Sequence, residues 1–518
     1  MPGMYVGGPS NDRVMQAMQA DFTGGLNLAA NPFQLGESDS PNMIDVDPDP
    51  KGGITRRKAI TQLIGSVTGT FDGLWVYDSD GGMRRMAGVR NGSDTQIKTL
   101  DGTPSTIHTF DAGRVRAVTF NDRCYIVSES GNAPIRFDGA TVAQLDEQYT
   151  ADEPPDVDLD PIENGCMPHG TLIAVWQGCV WVVKGDRIYY SWPGHGEYWS
   201  DENFFPVDEG TNGDRITAIM PHGERLLVFK RNGVWAVHGY DPDSFQLVPL
   251  SKSSGAVSQE AVCTAGFDVF FVDWPNGVYH IPYQSVPTLI SAKIAPVFED
   301  GRIPQDERTN IYCGWAGRKV WVGVPWGDAE HGRTFAYDPA LESWTAYSVN
   351  VKYAQDVYPS NETNYAFGVV THSSAPTTGK LAQLDATADQ DLGSYHIPAQ
   401  YQTRWFAKDD PLAKARFLRP GFVFAASVLQ VTAYLDYQST AHKHFQLTGT
   451  TTPASGVWGE DWGSMVWTAG AGRDDLVVDN GKRIGNGKAL SLLISDPNDE
   501  DWSVSAVVFK FTPRRRNN

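Results

Sequence analysis

The sequence has few cysteines, and none of them is spaced as a metal-ligand or redox pair. Five stand among 518 residues, at positions 124, 166, 179, 263 and 313, with no C-x-x-C motif. Most of them lie inside apolar, strand-like runs, as in residues 123–126. A small apolar thiol in such a run is typically packed in a core, so we predict buried free thiols.

Positive charge is also scarce. The chain has 42 Lys and Arg against 62 Asp and Glu, a formal net charge of −20. A nucleic-acid-binding protein normally presents a basic face, so sequence-specific nucleic acid is not the expected partner. No apolar run is long enough to span a bilayer, and the sequence does not open with a signal peptide. We therefore expect synthesis in a cytoplasm and no membrane span.

The motifs of common catalytic sites are missing, so we predict that the protein is not an enzyme and has no cofactor. There is no G-x-S-x-G, no P-loop, no H-E-x-x-H and no G-x-G-x-x-G after a strand. Carboxylates do cluster in one segment, and a pair of them could serve a glycosidase. The alternative is a solvated acidic loop, since the sialidase-type Asp boxes are absent. The clustered residues are Glu197, Asp201, Glu202, Asp208 and Glu209.

Two patterns suggest metal ligands superficially, and neither is complete. Asp156, Asp158 and Asp160 alternate as in a calcium loop, but the glycine at position 6 and the distal glutamate are missing. His442 and His444 would share one face of a strand, with no third ligand in view. We predict no metal site.

What the sequence has in abundance is turns. It contains 52 Gly and 32 Pro, and in residues 214–282 short apolar runs alternate with tight turns. The turn dipeptides begin at His222, Asn232 and Asn276. Asn-Gly between two apolar runs favours a type I′ hairpin, because both central positions need positive φ. The segment therefore predicts successive antiparallel hairpins.

The same rhythm returns every 40 to 50 residues or so, which is the spacing of propeller blades. We predict an all-β fold: a β-propeller over residues 61–393, with about seven blades, although six or eight also fit the pattern. An acidic, Pro-rich segment at 145–165 interrupts the rhythm and is interpreted as an exposed insertion. Residues 1–60 are interpreted as an N-terminal arm and entry segment.

After residue 393 the pattern changes to period-two alternation, as in residues 429–435 and 502–511. Alternation with one apolar face is typical of a sandwich, so residues 394–518 are predicted to form a C-terminal β-sandwich.

Aromatic clusters supply the candidate surface contacts. Tyr190, Trp192, Tyr198 and Trp199 could stack on sugar rings, or they could fill the space between blades. The sandwich carries the same ambiguity at further tryptophans in a loop-rich stretch. These are Trp458, Trp462 and Trp467.

Three stretches of the sequence resemble proteins of tailed-phage virions. The opening of the chain is similar to virion proteins with propeller folds. The similar residues are the run 21–27, Asn31 before Pro32, Asn42 and the run 53–57. The runs 226–246, 255–262 and 270–278 resemble minor tail proteins of phages that infect actinobacteria. The run 403–419 resembles the strand that begins the last domain of that family.

The resemblance implies a multi-copy structural component of a virion tail, at the distal tail or tail tip. Its partners would be copies of itself and other tail proteins, and it could contribute to assembly, DNA delivery or attachment to host cell-wall glycan. Alternatives are a nozzle or hub protein of a short-tailed phage and a lectin-like propeller. A glycan-cleaving enzyme is the third class.

Overall fold

The computed structural model describes residues 15–63, 67, 70–145, 167–208, 214–299, 301–325, 332–357, 365–372, 375–386, 388–407, 414–426, 428–448, 475–478, 483–498 and 500–513. The predicted insertion at 145–165 lies outside them except for Leu145. The chain folds into two compact units. The propeller unit holds residues 61–334 and 349–385, and the sandwich unit holds 1–60, 335–348 and 386–518.

The first sixty residues are rich in short strands. In chain order these are β1 (Met15–Gln19), β2 (Gly25–Leu26), β3 (Asp39–Ser40), β4 (Asn42–Ile44), β5 (Val46–Pro48), β6 (Ile54–Arg56) and β7 (Ala59–Gln62).

Five separate four-stranded antiparallel sheets follow, each a meander of consecutive strands. The first two contain β8 (Thr70–Ser79), β9 (Gly82–Asn91), β10 (Asp94–Thr99), β11 (Ser105–Asp111), and then β12 (Val115–Phe120), β13 (Arg123–Ser128), β14 (Ile135–Phe137), β15 (Val142–Gln144). The third and fourth contain β16 (Leu172–Trp176), β17 (Cys179–Lys184), β18 (Arg187–Ser191), β19 (Trp199–Pro206), and then β20 (Ala218–His222), β21 (Arg225–Lys230), β22 (Gly233–His238), β23 (Gln246–Ser251). The fifth contains β24 (Val262–Ala265), β25 (Asp268–Asp273), β26 (Gly277–Ile281) and β27 (Thr288–Leu289).

Two further blades complete the propeller unit. The sixth has β28 (Tyr312–Ala316), β29 (Lys319–Val324) and the start of β30 (Arg333–Asp338), which is followed by β31 (Ser343–Tyr347) in the sandwich unit. The seventh has β32 (Asn350–Val357), β33 (Tyr365–His372) and β34 (Ala375–Ala386). Leu63 N–H donates to the carbonyl of Leu381 in β34 at 3.0 Å, so the chain that enters the propeller also borders its last blade.

The inner strands close a ring. Each first strand of a blade contacts the first strand of the next, in the order β8, β12, β16, β20, β24, β28 and β32, and β32 contacts β8. Apolar side chains fill the gaps between blades: Phe71 and Leu74 of the first blade pack with Phe367 and Val369 of the seventh. Stacking covers the sheet faces that a single blade would expose. The described residues therefore form a seven-bladed propeller, as predicted.

The predicted turns do separate hairpin strands, but in each of the three dipeptides one residue is paired in a strand and only the other lies in the loop. His222 pairs with Arg225, so Gly223 lies in the two-residue loop with φ of 59°. In the next hairpin Lys230 pairs with Gly233, which makes the loop Arg231 and Asn232 rather than Asn232 and Gly233. The loop lies one position earlier than predicted, because the register of the strands is set by side-chain packing and not by the turn residues alone.

The C-terminal strands are β35 (Gln400–Gln402), β36 (Phe406–Ala407), β37 (Ala415–Ala425), β38 (Val428–Leu435), β39 (Lys443–Thr448), β40 (Asp475–Val478), β41 (Arg483–Gly487), β42 (Ala489–Ser495) and β43 (Ser503–Pro513). The described residues also form four short 3-10 helices, Pro242–Ser244, Gln259–Ala261, Ala292–Phe298 and Gln305–Asn310, and none has the length and apolarity of a membrane-spanning helix.

The sandwich unit is built from two sheets. One has the order β40-β37-β43-β6-β5, with β1 on β43 and β41 on β37, and the other includes β39-β38-β42-β35-β4. Rings from the two sheets meet between them: Phe406 and Phe509 stack at 4.0 Å between centroids. Gln19 Nε2 donates to the Tyr401 hydroxyl at 3.3 Å, again from one sheet to the other. The predicted sandwich is therefore present.

Residues 1–60 are part of this sandwich unit, which corrects their interpretation as a separate arm. Strand β1 pairs with the last strand, Met15 opposite Phe511, and β4 pairs with β35. The short polar strands carry little periodicity of their own, so the sequence did not reveal them. Backbone pairing with distant, strongly apolar strands supplies the stability that they lack alone.

Candidate functional site

A cavity of about 610 Å³ lies in the propeller unit where the inner strands begin. Its lining contains five basic side chains, Arg90, Arg114, Arg116, Arg215 and Lys352. Three carboxylates oppose them, Asp72, Glu129 and Glu260. Five cations minus three anions leave an excess of two positive charges, in a chain whose net charge is −20. The cavity therefore has the opposite sign to the protein as a whole.

Glu260 is the anchor of this charge cluster. Arg114 Nη1 donates to Glu260 Oε2 at 2.9 Å, and Arg116 Nε donates to Oε1 at 2.9 Å. Burial would raise the pKa of Glu260, but the two guanidinium groups outweigh it and lower that pKa below its usual value. Glu260 is therefore ionised, and it holds both arginines in fixed positions.

The remaining donors of the two arginines are also engaged. Arg114 Nη2 donates to the carbonyl of Thr309 at 2.8 Å and to Asn310 Oδ1 at 2.6 Å. Arg116 Nη1 donates to the carbonyl of Thr171 at 2.7 Å. These contacts link the starts of several inner strands around the cavity. The pair thus contributes positive potential but has few donors left for a ligand.

A second ion pair lies at the first blade. Arg90 Nε donates to Asp72 Oδ2 at 2.7 Å, and the Thr95 hydroxyl donates to the same oxygen at 3.0 Å. Asp72 is buried, whereas the Arg90 side chain is 42% exposed. This carboxylate is thus neutralised by its own blade.

Lys352 and Arg215 differ from the other three cations of the lining in having no partner among the described residues. Within the part of the chain that the structure describes, neither side chain has a hydrogen-bond or ion-pair partner. Lys352 is half-buried, and burial together with the nearby Arg114 lowers its pKa. Both cations line the cavity and contribute to its excess of positive charge.

Local backbone geometry aims Lys352 at the cavity. The register of β32 against β33 shifts between Lys352 and Gln355, which is a β-bulge. Tyr353, inside the bulge, has φ of 54°, a left-handed conformation that is costly for a large side chain. Bulges of this kind re-aim side chains, here placing both Lys352 and Tyr353 in the lining.

One buried hydroxyl in the lining is unpaired. Ser258 is 7% exposed, and its Oγ has no hydrogen-bond partner in the structure. A buried polar atom without a partner costs about 1–3 kcal/mol. This hydroxyl lines the same cavity as Lys352 and Arg215, so the cavity offers a polar ligand both a hydroxyl and cations. Among the described residues there is no cluster of His, Cys, Asp and Glu that could hold a metal ion.

A second, smaller site lies in the sandwich unit. It is a groove of about 350 Å³ with aromatic walls, which we call the aromatic groove. Phe33 is 69% exposed and its ring lies 4.2 Å from that of Tyr437, which in turn lies 4.9 Å from the ring of Trp405. Arg404 packs over Phe406 in the same groove, 5.0 Å from the ring centroid. Exposed rings beside one cation are chemically suited to stacking on sugars.

The aromatic residues singled out in the sequence do not form a surface. Tyr190, Tyr198 and Trp199 are buried, and Trp192 is half-buried. Tyr190 packs against Trp181 at 5.0 Å between ring centroids. This corrects their interpretation as surface contacts: they pack inside the propeller, the alternative that the sequence left open. Trp458, Trp462 and Trp467 lie outside the described residues.

One member of the predicted acidic cluster, Glu197, is held by ion pairs inside the propeller. Glu197 is buried and accepts from Arg123 Nη1 at 2.6 Å, from Arg136 Nη1 at 2.7 Å and from the Tyr125 hydroxyl at 3.0 Å. It ties the third blade to the second. Its two arginines make it a structural anion, and Glu209 lies outside the described residues.

Sequence reasoning missed both sites. The cavity residues lie mostly at or near the starts of the inner strands. These strands are far apart along the chain, from Asp72 to Lys352. The sole local signal is Arg114 and Arg116 on one face of a strand start. The aromatic groove joins Phe33 to Trp405 and Tyr437, and these residues meet because the N-terminal segment folds onto C-terminal strands.

Comparisons with known proteins bear on the fold. No protein family model and no curated protein matches the sequence. Among solved structures, a complex of BBS1N with ARL6DN is 13% identical, covers 64% of this chain and 99% of its own, and has a TM-score of 0.40. YCF48 bound to D1 peptide is 13% identical over 67% and 98%, with a TM-score of 0.36. Apo AztD from Citrobacter koseri is 8% identical over 59% and 84%, with a TM-score of 0.31. The propeller assignment is founded on the strand topology of this chain.

Proposed function

We propose that this protein is a structural component of a bacteriophage tail, a minor tail protein of the distal tail or tail tip. The observation that carries the proposal is that two segments with virion-protein resemblance, 21–57 and 403–419, belong to one folded unit. Segments of a shared structural framework are expected to contact each other, whereas unrelated chance similarities are not.

The N-terminal segment makes specific contacts with residues that come shortly before 403–419 in the chain. Phe22, fully buried, packs edge-on against Tyr401 at 5.3 Å between ring centroids. The Ser40 hydroxyl donates to the carbonyl of Gln402 at 2.7 Å. Arg57 lies between Asp45 and Asp391 and binds both. The resembling residues thus serve packing and ion pairing, which favours a structural role over a catalytic one.

The proposal places the protein in the virion, with copies of itself and other tail proteins as partners. Immunogold electron microscopy of purified virions with an antibody to this chain tests it. Label at the distal end of a tail is the expected result. Virions that carry no label, while the antibody detects the purified protein, would overturn the proposal.

A nozzle or hub of a short-tailed phage is the alternative within the same class. A closed ring around the DNA channel is expected of a nozzle, so the symmetry of the assembly separates the two. Label close to the head on a short tail, together with a closed ring in particle averages, favours the nozzle. Label at the distal end of a long tail favours the tail tip.

A second candidate function is binding of cell-wall glycan, and the aromatic groove favours it. A sugar ring stacked on Trp405 or Tyr437 would bury apolar area that is now exposed. Co-sedimentation of the purified protein with host cell-wall fragments tests this function. We expect binding that Tyr437→Ala weakens and that Tyr240→Ala, a change at an exposed tyrosine outside the groove, leaves unchanged.

Equal binding by wild type and Tyr437→Ala would show that the aromatic groove is not the glycan-binding site. Release of reducing ends from the same fragments would instead indicate that the protein is an enzyme. That result would contradict the prediction from the sequence.

A further inference from the structure

The propeller cavity holds unsatisfied polar groups that the proposed tail role does not use. Lys352 and Arg215 lack partners among the described residues, and the Ser258 hydroxyl is buried without a hydrogen bond. All three line one cavity of about 610 Å³, which has room for a small molecule. Arg215 is exposed, Lys352 is half-buried and Ser258 is buried, and a ligand in the cavity would meet donors from all three.

We propose that this cavity binds a small ligand bearing a phosphate group, which Lys352, Arg215 and the hydroxyl of Ser258 recognise. The inference is independent of the tail role. The two unpaired cations equal the charge of a phosphate monoester near neutral pH, and a serine hydroxyl donates readily to a phosphate oxygen. A neutral sugar would leave both cations uncompensated.

The charge cluster around the site supports an anion rather than a cation. Glu260 is shared by Arg114 and Arg116 and Asp72 is bound by Arg90, so two of the three carboxylates are already neutralised. The third, Glu129, is exposed at the end of β13. Fixed guanidinium groups around the cavity add positive potential without rearranging when the ligand enters.

The strained bulge supports a binding role as well. Tyr353 has positive φ directly after Lys352, and strain of this kind persists mainly where the surroundings hold it in place. An extended β32 would place alternate residues on opposite faces, so the bulge is what brings both Lys352 and Tyr353 into the lining.

The test is isothermal titration calorimetry on the full chain with four probes: inorganic phosphate, glycerol 3-phosphate, a glycerol phosphodiester and glycerol. We expect heat with phosphate and glycerol 3-phosphate and none with glycerol. Tighter binding of the monoester than of inorganic phosphate would identify a phosphorylated metabolite as the ligand class. Tighter binding of the diester would assign the site to a phosphate-linked polymer.

Variants locate the site. Lys352→Gln and Arg215→Gln should each weaken phosphate binding by about tenfold or more, because each removes a charged hydrogen bond. Ser258→Ala should weaken it less, by a few-fold. The matched controls Lys252→Gln and Arg231→Gln remove exposed charges outside the lining and should change affinity less than about twofold.

Two outcomes would overturn the proposal. One is the absence of binding heat with all three phosphate probes while the wild-type protein is folded by circular dichroism. The other is equal weakening by the cavity variants and by their controls, which would indicate diffuse surface attraction. If a cavity variant fails to fold, Arg215→Lys is measured in its place. This substitution keeps the positive charge, so it should retain more than half of the affinity that Arg215→Gln loses.

Discussion

In the sandwich unit one arginine lies between two carboxylates, and in the propeller cavity one carboxylate lies between two arginines. Arg57 binds Asp45 at 2.5 Å and Asp391 at 3.0 Å, and all three side chains are at most 2% exposed. Glu260 and its arginines are 10% to 17% exposed and border an open cavity. The two clusters have the same chemistry with reversed sign and different access to solvent.

The difference separates a structural cluster from a binding site. Burial alone would lower the pKa of Arg57, but the two carboxylates raise it above its usual value, so the charge stays in place. The Ile60 N–H also donates to Asp391 at 2.9 Å, which joins the cluster to the backbone. The Arg57 cluster is closed to solvent, whereas the Glu260 cluster shares its cavity with Lys352 and Arg215, which have no partner among the described residues. The propeller cavity, and not the Arg57 cluster, therefore has room for an anion.

The largest effect is expected at Arg57. Arg57→Met leaves Asp45 and Asp391 buried without their cation, and breaking a buried pair in this way costs about 3–5 kcal/mol. Urea unfolding followed by circular dichroism measures the free energy of unfolding. A loss below about 1 kcal/mol would show that solvent reaches this cluster and would remove the contrast with the cavity.

The next effect is expected at Glu260. Glu260→Gln leaves Arg114 and Arg116 without their shared anion, and we expect a loss of about 2–3 kcal/mol, less than at Arg57 because the cavity admits solvent. Added phosphate should restore part of the melting temperature of this variant. The matched control is Asp391→Asn, which phosphate should not rescue since its site is closed. Equal rescue of both variants would contradict the comparison.

A buried carboxylate without a cation provides the third test. Asp273 is buried and accepts from Asn276 Nδ2 at 2.8 Å, and burial raises its pKa to about 6. A raised pKa in the folded state means that its stability contribution is present below about pH 4 and is lost as pH rises through about 6. Asp273→Asn removes this loss.

The variant should therefore be more stable than wild type by about 1 kcal/mol above pH 7 and equal to it near pH 4, after allowance for solvent screening. Melting temperatures from pH 4 to 8 measure the difference. Glu260, whose pKa is lowered, should behave in the opposite sense and lose its contribution as the medium becomes acidic. A flat difference across this range would mean that Asp273 does not titrate there.

The smallest effect is expected at the exposed pair of the sandwich unit. Glu37 is 68% exposed and lies 3.6 Å from Arg404, which is 24% exposed. Exposed pairs contribute little, so Glu37→Ala should change the free energy of unfolding by less than about 0.5 kcal/mol. The same urea titration measures it, and a loss comparable to that of Arg57→Met would show that burial is not what distinguishes the clusters.

Local sequence was sufficient for the hairpins, the alternation of the C-terminal strands and the blade period. Turn residues and side-chain periodicity act within a few residues of each other, so they can be interpreted without knowing the rest of the chain. The same holds for the thiols: Cys124, Cys179, Cys263 and Cys313 are all free and buried, as their apolar surroundings predict. Cys166 lies outside the described residues.

The tertiary structure alone decided which distant residues meet. Cys263 and Cys313 are fifty positions apart in sequence, yet their sulfur atoms lie 3.3 Å from each other on neighbouring inner strands. The sequence left open whether the aromatics around Tyr190 are exposed or packed between blades, and Tyr190 packs in the core because adjacent blades cover that sheet. Arg57, Asp45 and Asp391 look like ordinary polar residues in the sequence, and the folding of the sandwich unit buries them together. Burial, and with it the strength of a charge, depends on long-range packing that local periodicity does not encode.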